Sequence, residues 1–247
     1  MPSPFVTKLK HGADLTDADC ALLDELTIQT RRVGAREDLI RQGDRPDDVH
    51  LVMDGFACRY KVMEGGARLN MAYLVPGDFC DLHVAILDAM DHGIATLSPC
   101  TLVDIPRRVI LELTDNHPRI ARALWWCTLV DEGTLREWLV NLGRREANQR
   151  MAHLFCELHL RLRAVGLAGD DGFDLPLTQA ELGDTIGVSN VHVNRTIQQL
   201  REARLVTWQG RRLTIPDVDR LRAYCDFEPA YLHLSNRRNR ANSGFDF

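Results

Sequence analysis

Residues 177–206 read LTQAELGDTIGVSNVHVNRTIQQLREARLV, and this stretch decides the fold of the C-terminal part. Thr178 followed three residues later by Glu181 is a capping box, in which each side chain satisfies the other residue's free backbone amide. Leu182 and Ile186 fall four apart, on one face of the helix so begun. Gly187 stands where that helix must end, because glycine takes the left-handed conformation without a Cβ penalty. Ser189 is a second N-cap. Val193, Ile197 and Leu200 then form the buried face of a second helix, predicted over Asn190–Leu200. Two helices joined by so short a turn cross steeply, and the second can project from the surface.

The outward face of that second helix carries Asn190, Val191, His192, Asn194, Arg195 and Gln198. A purely structural surface helix would more often show Glu–Lys pairs at helical spacing. Here one cation stands among amides, which suits a DNA major groove. Arg195 can bond the O6 and N7 edge of guanine, and Asn194 or Asn190 an adenine edge, while Val191 can pack on a thymine methyl. Gln179, Ser189, His192 and Gln198 can reach phosphates. After Arg204 come two β-rich runs around Gly210, a hairpin that makes the module a winged helix. Arg211 and Arg212 at its tip can contact phosphate or serve only as a solvated pair.

Upstream the texture differs. From Val33 to Ile105 short apolar runs alternate with turn residues about every ten positions, the spacing of an all-β sandwich or barrel. Before it, Thr16 caps a helix predicted over Leu15–Leu26, and after it Arg107–Leu113 reads as a short helix. Pro118, at a first helical turn, opens a long helix to about Leu142. Leu124, Thr128, Asp131, Leu135, Trp138 and Leu142 alternate in spacing by four and three, the heptad signature of a dimer seam. An ordinary core helix is the other reading. A further helix is expected over Arg145–Ala164, then a loop over Gly166–Asp174. The expected fold class is α+β. Its divisions are a β-roll sensor domain (1–116), a dimerisation helix (117–143), a winged helix-turn-helix (144–234) and a disordered tail (235–247).

Composition narrows the class. The net charge is −5, yet residues 144–247 hold 15 Lys and Arg against 13 Asp and Glu, leaving the acid excess in the other part. Local basic character is what phosphate contact needs. The seven cysteines are scattered without a CxxC, which argues against a disulfide scaffold or zinc finger. No long apolar run and no signal-peptide pattern occur, so no membrane partner and a cytoplasmic location are expected. Nucleophile elbow, P-loop, GxGxxG and HExxH are all missing, so no catalytic residue, no metal ligand set and no enzyme activity are expected.

With these motifs in place, the chain resembles the Crp/Fnr regulators, which include the cyclic-AMP receptor protein. The resemblance runs from about residue 15 to 225. It rests on residues 178–206, on the Arg41-Gln42-Gly43-Asp44 turn with residues 49–55, and on Val75-Pro76-Gly77-Asp78-Phe79. It implies a transcription regulator with a cupin-like β-roll, acting as a homodimer on a pseudo-palindromic operator. It also implies RNA polymerase as a partner and an effector bound in the roll.

The effector is unknown, and the departures matter. Cyclic-nucleotide binders carry Gly-Glu after the Pro-Gly-Asp turn, where this chain has Asp81-Leu82. They carry Arg-Ser or Arg-Thr on the cyclic phosphate, where it has His92-Gly93. The dimer-helix hydroxyl that reads adenine falls on Leu135. A phosphodiester needs a fixed cation, so cyclic AMP is not expected. A [4Fe–4S] cluster is not expected either, because Cys20 alone cannot hold one. The alternative is a haem- or thiol-based redox or gas sensor, with His83 or His92 as haem ligand or Cys58, Cys80 and Cys100 as redox groups. Trp125-Trp126 can line an effector pocket or belong to the core. Family members commonly carry Glu at the position of Val191, so the operator is expected to differ there, whereas Arg195 is retained.

Overall fold

The computed structural model describes residues 3–87 and 89–234. The tail expected to be disordered, 235–247, lies outside the described residues. Two short helices open the chain, α1 (Pro4–Leu9) and α2 (Asp17–Leu26). Thr16 caps α2, and Asp19 completes a capping box there.

Seven strands follow: β1 (Arg31–Val33), β2 (Asp38–Ile40), β3 (Asp48–Asp54), β4 (Ala57–Val62), β5 (Arg68–Leu74), β6 (Gly93–Thr96) and β7 (Cys100–Pro106). They pair antiparallel in two sheets, ordered β1-β7-β3 and β2-β6-β4-β5. This bears out the all-β unit expected from the turn spacing and the β-roll that the resemblance implies. Gly55 shows why the turns are so rich in glycine. Its φ is 87°, and a Cβ there would meet the Pro99 carbonyl oxygen at 2.3 Å.

Three helices lead on: α3 (Arg107–Asn116), α4 (Pro118–Arg144) and α5 (Ala147–Ala164). With 27 residues, α4 is about 40 Å long. The C-terminal part holds β8 (Gly172–Asp174), α6 (Gln179–Ile186), α7 (Asn190–Glu202), β9 (Thr207–Gln209), β10 (Arg212–Thr214) and α8 (Val218–Tyr224). The expected hairpin is β9–β10. Residues 172–174, expected in a loop, form a third strand, because Phe173 pairs with Leu213 and is fully buried. No described helix is long and apolar enough to cross a membrane.

The described residues form two apolar cores. One fills the roll and takes in Ile120, Ala123, Leu124 and Cys127 of α4. The other is centred on α5 and continues onto the roll through Phe56, Cys58, Tyr73, Val75 and Leu97. The winged helix is therefore packed against the roll by shared apolar surface, the main stabilising term in such a contact.

A buried charge cluster reinforces this junction. The Asp78 carboxylate accepts from Lys8 Nζ, from Arg161 Nη2 and from the Val75 amide at 2.8 Å. It so joins α1, the turn after β5, and α5. Arg161 also donates to the Tyr73 carbonyl at 2.9 Å and to Glu157 at 3.2 Å. Burial alone would raise the Asp78 carboxyl, but Lys8 and Arg161 outweigh it and hold it below the usual carboxylate range. A depressed folded-state pKa contributes stability above the unfolded value, about 3.9, which is lost as pH falls through the folded value. Asp78→Ala would leave buried Lys8 without a carboxylate and Arg161 with Glu157 as its one anionic partner. Urea unfolding at neutral pH is expected to show a loss of about 3–5 kcal/mol. A loss under about 1 kcal/mol would mean that the cluster is no stronger than a surface ion pair.

Candidate nucleic-acid interface

The turn between α6 and α7 is built from the expected residues. Thr178 caps α6: its hydroxyl accepts from the Glu181 amide at 3.3 Å, and its own amide donates to the Glu181 carboxylate at 2.7 Å. Gly187 has φ 72° in the left-handed region. Its amide and that of Val188 both donate to the Gly183 carbonyl, at 2.9 and 3.1 Å, closing the helix end. Gly183 itself was not singled out in the sequence. A Cβ there would meet the Val188 carbonyl oxygen at 2.7 Å, so only glycine lets the turn come this close. The Ser189 hydroxyl accepts from the His192 amide at 3.4 Å and caps α7.

The two faces of α7 separate as the periodicity requires. Val193, Ile197 and Leu200 are buried, with Leu182 and Ile186 of α6 opposite. Asn190, Val191, Asn194, Arg195 and Gln198 are exposed, Val191 to 81%, and His192 is half-buried. Gln198 donates to Glu202 at 3.1 Å, one turn on. Gln179 and Ser189 are exposed at the starts of α6 and α7. Arg211 stands exposed in the β9–β10 turn beside Gly210, whose φ is 58°. Neither Arg195 nor Arg211 joins an ion pair among the described residues, whereas Arg212 is held by Asp171 at 3.2 Å. The surface thus offers an uncommitted cation among amide side chains on α7 and a second in the β9–β10 turn, the chemistry of phosphate and base-edge contact.

α6 also docks on the roll through residues that sequence reasoning missed. Asn70 Nδ2 donates to the Glu181 carbonyl at 3.1 Å, and the Tyr73 and Thr185 hydroxyls share a hydrogen bond. Arg36 reaches the Glu181 carboxylate at 3.2 Å. All three pairs join residues more than a hundred positions apart, which no local pattern announces.

The expected effector residues do not gather in one cavity. Asp81 is fully buried and accepts from both the amide and Nδ1 of His50, each at 2.7 Å. Gly93 lies against the Tyr60 ring, where a Cβ would meet Cζ at 2.5 Å. His92 bonds Asp91 at 2.6 Å. Leu82, in the 3-10 turn Leu82–Ala85, lines a cleft of about 350 Å3 with His83, Ile86, Leu124, Trp125 and Thr128. Leu135 is not part of its lining. Trp125 faces this cleft and solvent rather than the core, while Trp126 is half-buried beside His11. Arg59, not foreseen, donates to the carbonyls of Cys80 at 2.9 Å and Phe79 at 3.1 Å and to the Asp131 carboxylate at 2.9 Å.

That last bond corrects the expected seam. Asp131 is turned towards Arg59, Trp138 donates to buried Glu157 at 3.1 Å, and Leu124 belongs to the roll core. All three therefore pack within the chain itself. The exposed stripe is Trp125, Thr128, Glu132, Leu135, Leu139 and Leu142, with Thr128, Leu135 and Leu142 common to both readings. Its spacings alternate three and four, so the heptad is kept and one of its two rows moves on by one residue. Thiol chemistry is disfavoured at the three roll cysteines. Burial pushes the Cys58 and Cys100 thiols up to about 11 and Cys80 well above the usual value, leaving little reactive thiolate.

Comparison with known proteins decides the family. Residues 149–224 match the Crp-like helix-turn-helix domain, and residues 30–117 match the cyclic nucleotide-binding domain. The chain belongs to the Crp/Fnr family. It is 28% identical over 215 residues to the transcriptional activator protein FnrL of Cereibacter sphaeroides, covering 83% of this chain and 86% of that one. It is 24% identical over 224 residues to the nitrogen fixation regulation protein FixK of Azorhizobium caulinodans, covering 90% of each. The fold matches the structure of FixK2 from Bradyrhizobium japonicum with TM-score 0.71 at 21% identity, over 79% of this chain and 96% of that one. The chain is accordingly a DNA-binding transcription regulator of the Crp/Fnr type and not an enzyme.

Gly183→Ala tests the turn. It is expected to abolish specific DNA binding in a gel shift while the far-ultraviolet dichroism of the chain stays close to wild type. Unchanged affinity would show that the turn tolerates a methyl group.

Proposed function

We propose that this regulator binds a two-fold related operator as a homodimer, with α7 of each protomer in the major groove. Arg195, Asn194, Asn190 and Val191 face base edges, with Arg195 on a guanine. Gln179, Ser189, His192, Gln198 and Arg211 face phosphates. The observation that carries this reading is the exposed, uncompensated Arg195 among amides on an α7 whose opposite face is fully packed. Dimerisation follows the exposed stripe of α4, where Trp125 is 65% and Leu139 72% exposed. Apolar side chains at heptad spacing on so long a helix are what a two-helix seam covers. Work on bacterial DNA sets the protein in the cytoplasm, with RNA polymerase as its further partner.

The roll supplies the regulating input, through its contact with α6. A cyclic nucleotide does not fit that role here. Where the resemblance sets the phosphate clamp, the side chain is His92, whose pKa burial lowers and whose Nδ1 is bonded to Asp91, so the position supplies no fixed cation.

Arg195→Ala is expected to cost roughly 1–3 kcal/mol of specific binding, read by titration against a duplex selected from random sequence. Equal affinity for that duplex would remove the guanine assignment. Leu139→Glu is expected to shift the chain from dimer to monomer in sedimentation. A persisting dimer would move the interface off this stripe.

A further inference from the structure

The 3-10 turn 82–85 and the start of β6 bring together a cluster that the DNA-binding reading does not use. One donor atom from each of His83, Asp91 and His92 lies within 4.8 Å of the other two. The His83 and His92 rings stand 5.6 Å apart between centroids. His92 is buried, 8% exposed, and His83 half-buried. The Nε2 atoms of both rings are buried and have no hydrogen-bond partner among the described residues. Two orphaned ring nitrogens on neighbouring buried imidazoles are costly unless something accepts or fills them. Meanwhile Asp91 holds His92 Nδ1 at 2.6 Å.

We propose that His83 and His92 bind a first-row divalent cation of the zinc class through their Nε2 atoms, with Asp91 positioning His92. Two imidazoles on one tetrahedral zinc, each about 2.0–2.1 Å from the metal, leave their ring centroids roughly 5 Å apart, close to what is seen. Asp91 on the far nitrogen forms the carboxylate–histidine–metal arrangement that fixes ring orientation and tautomer. Imidazole pairs select zinc, copper, nickel or iron over magnesium and calcium, which want oxygen. The remaining coordination positions are left to water or an incoming ligand. His83 also lines the cleft against α4, so such a ligand would enter beside Trp125 and Thr128. The site stands on its own geometry and does not depend on how α7 reads DNA.

The test uses the full chain, stripped with a chelator and titrated with Co2+ and with Zn2+ against a chromophoric competitor. One cation per chain is expected, with visible d–d absorption for Co2+. The double variant His83→Gln with His92→Gln should lose that uptake, and each single variant should bind at least about tenfold more weakly. Asp91→Asn should keep the stoichiometry but weaken binding about 10–100-fold. Its side chain is exposed, so it carries the test if the double variant fails to fold. His233→Gln, at an exposed histidine elsewhere, should bind as wild type. No uptake by the stripped wild type, or full affinity in the Asp91 and double-histidine variants, would overturn the assignment. So would uptake of haem with no affinity for the free cation.

Discussion

The Asp78 carboxylate is the constraint on which the arrangement depends. It is buried where α1, the turn after β5 and α5 converge, and Lys8 and Arg161 reach it from either side. Removing one partner from such a cluster strands a charge in a poor dielectric, so the three elements keep one relative position or lose much of the stability they share. α5 is the buried axis of the C-terminal part, and α6 and α7 pack on it. Fixing α5 against the roll therefore fixes the direction in which α7 presents Arg195.

The same junction gives the roll a route to the DNA-binding surface. Glu181 takes part in two structures at once: its carboxylate closes the capping box of α6, and it also receives Arg36 from the roll. Its carbonyl takes Asn70. A shift of β5 or of the turn bearing Arg36 would thus be felt at the start of the helix-turn-helix. Arg59 makes the corresponding link on the other side, from β4 to Asp131 of α4. Both links are polar and part-buried, which suits elements that must re-pair rather than merely adhere. The imidazoles of His83 and His92, whose Nε2 atoms have no hydrogen-bond partner among the described residues, also feel the charge of Arg59, the β4 end of the α4 link.

What was legible in the sequence was local. The Thr178–Glu181 capping box, Gly187, Ser189 and the apolar spacing of α6 and α7 are all set within four residues, and the structure has each of them. The roll was legible through its turn residues. The short elements α1, β8 and α8 were not, because three to seven residues give too little periodicity and they are held by distant partners. The pairs Arg161–Asp78, Arg59–Asp131 and Asn70–Glu181 join residues far apart, so nothing near either partner announces them. Which row of α4 stays exposed was not legible for a different reason. α4 carries two adjacent rows of large side chains, 124, 131 and 138 beside 125, 132 and 139, and both satisfy the heptad. Only the positions of Arg59, Glu157 and the roll core decide which row is already covered.

The central claim is that the exposed face of α7 reads base pairs twice, once per protomer. Protection of guanine N7 by the bound protein, on a duplex selected from random sequence, tests it most directly. The account predicts two patches of major-groove protection related by two-fold symmetry, with half-sites about one helical turn, 10–10.5 base pairs, or a multiple of it apart. A single patch, or selection that returns no sequence preferred over random duplex, would contradict it.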